Sequence, residues 1–146
     1  MPESIDSLVG TFYRAFAGQP DLLHDIVTPD WEDIPLAPGQ GPGPDGVKPI
    51  INGIAASVSD FAIVVHDIVD GRGRDGNGMI GVRAEMRGVH SGEMFGLPAT
   101  GTSFIVPMHE FHHVAGGRFT RTHHLEDWFG FFHQIGAMPG VAEEAK

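Results

Sequence analysis

The chain has 146 residues, 41% of them hydrophobic and 19% charged, which is ordinary for one globular domain. Nine Lys and Arg against nineteen Asp and Glu give a formal net charge of −10, which argues against binding to a nucleic-acid backbone. The absence of cysteine excludes disulfides, thiolate metal sites and a cysteine nucleophile, and no apolar run reaches the roughly 18 residues of a membrane span. We therefore expect a single cytoplasmic domain over residues 1–146, without a signal peptide or membrane association.

The first predicted element is an amphipathic helix. Apolar residues recur at helical spacing from Ile5 to Phe16, so one face of the helix is apolar, and the pattern ends near Gly18. Phe12 and Phe16 lie on that face, and we expect both to contact a ligand in a cavity.

Two further helices are predicted before any strand. Pro20 suits the first turn of a short helix that Pro29 ends, and Pro44 opens a third helix whose apolar spacing extends to Val58. The Pro/Gly-rich residues 37–46 between them are too few for a domain linker, so we predict a loop beside a pocket.

After Asp60 the hydrophobic period changes to two, which predicts strands. The predicted strands are residues 61–68, 80–87, 102–114 and 118–126, with a Gly-rich hairpin loop at 71–78 and a turn at Gly116–Gly117. A short aromatic helix over residues 128–135 closes the pattern. Helices followed by a curled antiparallel sheet predict an α+β fold with the helices on one face of the sheet.

A histidine-rich segment, HEFHH at residues 109–113, has the spelling of a zinc-peptidase motif. That motif requires a helix, whereas on a strand His109 and His113 would lie roughly 13 Å apart, too far for one ion. The imidazoles and carboxylates of residues 123–127 offer another possible ligand set, although such clusters are more often hydrogen-bonded networks or pocket linings. We predict no metal and no cofactor.

General acid–base chemistry is the remaining option, because Ser91 and Ser103 lack the sequence context of a serine nucleophile. If Phe119 faces the concave side of the sheet, strand alternation places Asp127 on the same side, at the end of the strand. A partly desolvated Asp127 is suited to a general base. The alternative is that Asp127 caps the helix beginning at Trp128, and the two roles can coexist.

Four stretches of the sequence resemble the SnoaL-like polyketide and ester cyclases, within the nuclear transport factor 2-like superfamily. They are residues 28–46, residues 88–101, residues 114–119 and HHLEDWFGFFHQIGA at 123–137. The resemblance implies a cone-shaped, curved antiparallel sheet around an apolar cavity that the N-terminal helices close. It also implies a homodimer that packs through its sheets.

The resemblance extends to the candidate site. In characterised cyclases an aspartate near the end of the last strand is the acid–base group of an intramolecular aldol closure, and Asp127 matches it. His124 matches a histidine common in the family, and His113 is a candidate second partner, although a one-residue change of register would turn it to the other face. The predicted substrate-binding residues are Trp31, Asp33, His90, Phe95, His109, His123, Phe12 and Phe16.

Two positions depart from the family pattern. His123 stands where many relatives have Trp, and Glu32-Asp33 stands where many have Asn-His. Our functional hypothesis is a cofactor-free cyclase or isomerase that acts on a small apolar or aromatic carbonyl substrate. The alternatives are a non-catalytic binding or accessory protein and an epoxide-hydrolase-like hydrolase.

Overall fold

The computed structural model describes residues 4–138 of the chain. These residues contain four α-helices and five β-strands. The helices are α1 (Ile5–Phe16), α2 (Leu23–Ile26), α3 (Gly43–Ser57) and α4 (Trp128–Gln134), with a 3₁₀ turn at Pro20–Leu22 before α2. The strands are β1 (Val27–Ile34), β2 (Val58–Arg72), β3 (Gly78–His90), β4 (Ser103–Ala115) and β5 (Arg118–Glu126). Both ends of the predicted domain, residues 1–3 and 139–146, lie outside the described residues.

Helix α1 forms where the apolar spacing predicts it. The hydroxyl of Ser4 accepts a hydrogen bond from the Ser7 amide at 3.0 Å and so caps the first turn. The apolar stripe buries Leu8 and Phe12, and the chain leaves the helix at Gly18, whose φ of 125° a residue with a Cβ rarely adopts. The helix therefore packs its aromatic face against the sheet.

The sheet has the order β1-β5-β4-β3-β2, in which β2 to β5 are antiparallel as predicted. The helices pack on one face, which we call the inner face. Phe104, Val106 and Met108 of β4 are buried on this face, at every second position of the strand. The α+β class and the curved sheet with helices on its inner face are confirmed.

Strand β1 was not predicted from the sequence. The prediction gave no strand before residue 61 and a purely antiparallel sheet, but residues 27–34 pair with β5 in parallel, which makes the sheet mixed. Pro29, read as a helix stop, instead lies where the register between Val27 and Glu32 is irregular, because proline has no amide hydrogen for a regular ladder. The pairing brings Asp33 opposite Thr122 of β5.

No helix within residues 4–138 has the length and apolar character needed to cross a lipid bilayer. The cytoplasmic location stays a prediction.

Candidate active site

A cavity of about 480 Å³ opens between the inner face of the sheet, α3 and the loop after β3. This volume lies within the range of small-molecule sites. Most of its wall is apolar and comes from α3, β2, β3 and β4, including Val47, Ile50, Ile51, Ile54, Phe61, Ile63, Met86 and Met108. Acidic and basic groups from β1, β4 and β5 interrupt this wall, namely Asp33, Glu110, His124 and Glu126.

The predicted site residues divide into three groups. Those that line the cavity are Phe16, Asp33, Phe95 and His124. Those that are buried behind the lining are Phe12, Trp31 and His90. Those that lie outside it are His109, His113, His123 and Asp127.

Asp127 does not face the cavity, and the prediction that strand alternation turns it inward is wrong. Its side chain is exposed, and its Oδ1 accepts a hydrogen bond from the Gly130 amide at 2.8 Å, so Asp127 caps α4. The cause is a bulge at Thr120: His113 pairs with Arg121, but Val114 pairs with Phe119. One extra residue in a strand turns every later side chain of that strand to the opposite face of the sheet.

Beyond the bulge, the residues of β5 that face inward are Thr122, His124 and Glu126. Across the ladder, Glu110 of β4 lies opposite His124, and His112 lies opposite Thr122. Direct cross-strand neighbours have Cβ atoms roughly 5 Å apart, so their side chains meet. The register of β4 and β5 therefore assembles the polar cluster.

The inner face of β4 carries Glu110 and His112 rather than the predicted His109 and His113. His109 is exposed, and the ring of His113 lies 5.6 Å from that of His123 on the opposite, outer face of the sheet. The sequence reasoning missed both Glu110 and His112. A signal was available, because the buried apolar positions of β4 are even-numbered and continue directly into these two residues.

The surroundings of His124 favour a proton on both of its ring nitrogens. Its Nδ1 lies 2.8 and 3.0 Å from the carboxylate oxygens of Glu126, and its Nε2 lies 2.6 Å from the carbonyl oxygen of Pro35. Because both ring nitrogens face acceptors, both must donate. Burial opposes the charge, but Glu126, Asp33 and the Pro35 carbonyl outweigh it and raise the pKa of His124 to about 9.

Glu110 is a buried carboxyl group whose Oε1 has no hydrogen-bond partner among the described residues. Burial raises the pKa of Glu110 to about 8, and the negative charges of Glu126 and Asp33 act in the same direction. The Tyr13 hydroxyl and the charge of His124 oppose the rise. Glu110 is therefore mostly protonated near neutral pH and can donate a proton into the cavity.

Asp33 is also almost fully buried, and burial raises its pKa above the ordinary range of an aspartate. Its Oδ2 accepts a hydrogen bond from Nε2 of Gln40 at 2.8 Å, and its Oδ1 lies 3.5 Å from Nε2 of His124. Gln40 in turn accepts a hydrogen bond from the Ala37 amide at 2.9 Å. The Pro/Gly-rich loop, predicted to lie beside a pocket, thus holds a carboxylate at the cavity wall.

Glu110, His124 and Glu126 have ligand-type atoms within 4.8 Å of one another, so they are a group that could hold a metal ion among residues 4–138. A metal at Nδ1 of His124 would have to displace the proton that this nitrogen shares with Glu126. The arrangement fits a proton-bearing acid–base cluster, and the prediction that no metal is used stays a prediction.

Phe95 occupies a strained position in the cavity lining. Met94 and Leu97 pair through their backbones around a two-residue turn in which Phe95 has a φ of 52° and Gly96 a φ of 74°. Such turns favour Asn-Gly, and a bulky side chain is disfavoured there. The exposed ring of Phe95 lies 5.0 Å from that of Trp128, so the strained turn holds an aromatic side chain at the cavity wall.

The sequence model of the SnoaL-like polyketide cyclases matches residues 7–135, which is most of the chain. The chain belongs to the SnoaL-like polyketide cyclase family. No sequence among curated proteins matches this SnoaL-like protein significantly. The family resemblance inferred from the sequence is therefore confirmed.

Solved structures similar to this SnoaL-like protein agree with its fold. TsrD from Streptomyces laurentii is 25% identical, with a TM-score of 0.79 over 91% of this chain and 95% of that one. IdmH from Streptomyces antibioticus, a candidate polyketide cyclase, is 24% identical, with a TM-score of 0.71 over 92% and 99%. A Catenulispora acidiphila protein of ketosteroid isomerase-like fold, in complex with trimethylamine, is 16% identical, with a TM-score of 0.70 over 96% and 100%.

Proposed function

We propose that this SnoaL-like protein is a cofactor-independent enzyme that cyclises or isomerises a small apolar carbonyl compound by acid–base catalysis. The observation that carries the proposal is the cluster of Asp33, Glu110, His124 and Glu126 in the wall of an otherwise apolar cavity. Carboxyl groups whose surroundings give them different protonation states are suited to separate acid and base roles. The family membership supports the same class of reaction.

In the proposed reaction Asp33 is the base and Glu110 is the acid. Asp33 removes a proton from the carbon next to a carbonyl group, and the electron pair of that C–H bond forms an enolate whose oxygen accepts a hydrogen bond from Glu110. In a cyclisation, the enolate carbon bonds to a second carbonyl carbon of the same molecule, and the oxygen of that carbonyl takes the proton of Glu110. Transfer of the proton from Asp33 to Glu110 then restores the site.

His124 has a supporting electrostatic role in this proposal. Its positive charge lies between Glu126 and Asp33, so it favours the ionised form of Asp33 that acts as a base. Asp127 has only a helix-capping role here, in contrast to the role that the family resemblance implies. A non-catalytic binding protein would use the same apolar cavity but has no need of the buried carboxyl oxygen of Glu110 that lacks a hydrogen-bond partner among residues 4–138.

Asp33→Asn tests the base. We expect turnover of a panel of polyketide esters and ketones to fall about 10²- to 10⁴-fold, because an amide cannot accept the proton. Glu32→Gln is the matched control, since the exposed neighbouring carboxylate pairs with Arg121 on the surface and should leave turnover unchanged. Equal rates for Asp33→Asn and the wild type would contradict the assignment, and binding of the panel without turnover by either would favour the binding protein.

We also propose that the protein is a homodimer that packs through the outer face of the sheet. Phe111 of β4 and Leu125 of β5 are 51% and 73% exposed on neighbouring strands of this face, an apolar surface that a second copy would cover. Phe111→Arg should then halve the molar mass measured by light scattering. Phe129→Arg, at an exposed phenylalanine on α4, is the control and should leave the mass unchanged. A wild-type protein that is monomeric at micromolar concentration would contradict the proposal.

A further inference from the structure

The Pro/Gly-rich loop begins with a β-turn at the cavity wall. The turn reads Ala37-Pro38-Gly39-Gln40, with proline and glycine at its two central positions, which is typical of a type II turn. Gly39 has the positive φ that this turn requires, 81°, and the backbone amide of Gln40 donates to the carbonyl oxygen of Ala37 at 2.9 Å. The turn therefore fixes the backbone from which the Gln40 side chain extends into the cavity wall.

The direction of the Gln40 side-chain amide follows from its two contacts. The backbone amide of Ala37 can only donate, so the Gln40 atom that lies 2.9 Å from it is the oxygen, Oε1. The other atom of the group, Nε2, lies 2.8 Å from Oδ2 of Asp33 and donates to it. In the reverse orientation two donors would face each other at Ala37, whichever protonation state Asp33 has. The direction of this hydrogen bond is therefore independent of the proton on Asp33.

The second carboxyl oxygen of Asp33, Oδ1, accepts no hydrogen bond from residues 4–138. Nε2 of His124 lies 3.5 Å from Oδ1, but it lies only 2.6 Å from the carbonyl oxygen of Pro35, which can only accept. The hydrogen of this nitrogen therefore points at Pro35. Since Gln40 occupies Oδ2, Oδ1 is the oxygen whose lone pairs are open to a ligand.

We propose that Gln40, held by the turn at residues 37–40, is a positioning residue that fixes Oδ2 of Asp33 and leaves Oδ1 to accept the proton of a ligand. An amide donor stabilises a carboxylate more than a neutral carboxyl group, so Gln40 favours the form of Asp33 that acts as a base. It also holds the carboxylate in one orientation. The consequence for catalysis rests on the proposed function, whereas the attachment of Asp33 to Gln40 does not.

Other groups of the cavity act on the same carboxyl group. Burial is the main cause of the raised pKa of Asp33, and the hydrogen bond from Gln40 is the largest effect in the opposite direction. From β5, the charge of His124 lowers this pKa and that of Glu126 raises it. Loss of the Gln40 donor should therefore raise the pKa further. The remaining titratable side chains of the described cavity wall are Glu93 and Glu110.

Gln40→Met is the first test, because methionine has a similar size but no donor. The titration midpoint of the Asp33 side-chain carboxyl, followed by ¹³C NMR of the full chain, should rise by about one pH unit. Asp33→Asn identifies the resonance. Gln19→Met, at an exposed glutamine outside the cavity wall, is the matched control and should leave the midpoint unchanged. An unchanged or lower midpoint in Gln40→Met would overturn the proposal.

Gln40→Glu separates a positioning role from mere support of the loop. Glutamate keeps the oxygen that accepts from Ala37, but it places a second carboxyl group against Asp33. Two adjacent carboxyl groups share a proton, so the pair should release its last proton at a higher pH than Asp33 does in Gln40→Met. If Gln40 only supported the loop, Gln40→Glu would titrate like the wild type, and the proposal would be wrong.

Gly39→Ala tests the turn without changing Gln40. No atom of residues 4–138 lies within 4 Å of the position that a Cβ on Gly39 would take, so the methyl group strains the φ of 81° without a steric clash. The Asp33 midpoint should rise, by less than in Gln40→Met. Gly136→Ala is the matched control, because Gly136 has a φ of 76° and equally open surroundings but lies outside the cavity wall. Equal midpoints in Gly39→Ala and the wild type would contradict the role of the turn.

The pH profile of turnover measures the consequence for catalysis. In Gln40→Met the acidic limb of the kcat/KM profile should move to higher pH by as much as the Asp33 midpoint, with little change in the maximum. A purely structural role would lower the rate at every pH.

The two proposals can fail separately. A raised Asp33 midpoint in Gln40→Met together with undiminished turnover in Asp33→Asn would support the role of Gln40 and contradict the proposed function. An unchanged midpoint together with lost turnover in Asp33→Asn would do the reverse.

Discussion

Replacing Glu110 with Gln should reduce turnover about 10²- to 10⁴-fold while the protein still folds. Glutamine has nearly the shape of a protonated glutamic acid, so it fills the same buried space between Tyr13 and His124 without adding a charge. It can still donate a hydrogen bond to a substrate oxygen, but it cannot transfer a proton to that oxygen. The loss should therefore appear in kcat more than in KM.

The measurement is steady-state turnover of the panel of polyketide esters and ketones, with folding checked by circular dichroism. Asp127→Asn is the matched control, because asparagine caps a helix about as well as aspartate does and Asp127 lies outside the cavity. If Asp127→Asn lost turnover and Glu110→Gln kept it, the base implied by the family resemblance would be correct and our assignment would be wrong.

This contrast shows how far the sequence predicts the site. The hydrophobic period correctly predicted α1 and the β-hairpins, and Phe119, whose inward direction was the condition of the argument for Asp127, is indeed buried. It could not predict the bulge at Thr120, because a bulge depends on how β5 pairs with β4 rather than on the residues of β5 alone. Because of that single extra residue, Glu126 faces the inner side of the sheet, where the prediction placed Asp127.

The electrostatic properties of Glu110 were also beyond sequence reasoning, for a different reason. The alternation of β4 could have placed Glu110 inward, next to the buried Met108. Its raised pKa, however, requires burial in the folded protein and the neighbouring charges of Glu126 and Asp33, which come from two other strands. One of these, β1, was not predicted as a strand at all, because its parallel pairing with β5 joins residues about ninety positions apart.

The same buried groups should make folding stability fall as the pH rises. The pKa of Glu110 is raised from 4.5 to about 8 and that of His124 from 6.5 to about 9, so the folded state holds protons that the unfolded state has released. The stability due to Glu110 is complete below about pH 4.5 and lost as the pH passes 8, and that due to His124 is complete below 6.5 and lost by 9. Both effects have the same sign.

Acidic surface residues act oppositely at lower pH. Arg72 lowers the pKa of Asp70, and Arg87 lowers that of Glu85, so these pairs lose stability as the pH falls below the ordinary range of a carboxyl group. Because one partner of each pair, Asp70 or Arg87, is exposed to solvent, their contribution is small beside that of the buried cluster. We therefore expect maximum stability on the acidic side of neutrality.

Urea unfolding between pH 5 and pH 9 should show a loss of several kcal/mol in the free energy of unfolding, since one pKa unit corresponds to about 1.4 kcal/mol. Glu110→Gln should remove the part of this loss that falls between about pH 4.5 and 8, because glutamine does not ionise, and should leave the part due to His124. The variant should therefore be more stable than the wild type at pH 8 while turning over more slowly. A pH-independent stability in both proteins would mean that Glu110 is ionised in the folded state at neutral pH, and it could not then serve as the acid. A buried carboxyl group that lowers stability above neutral pH is the cost that the proposed role of Glu110 as an acid would carry.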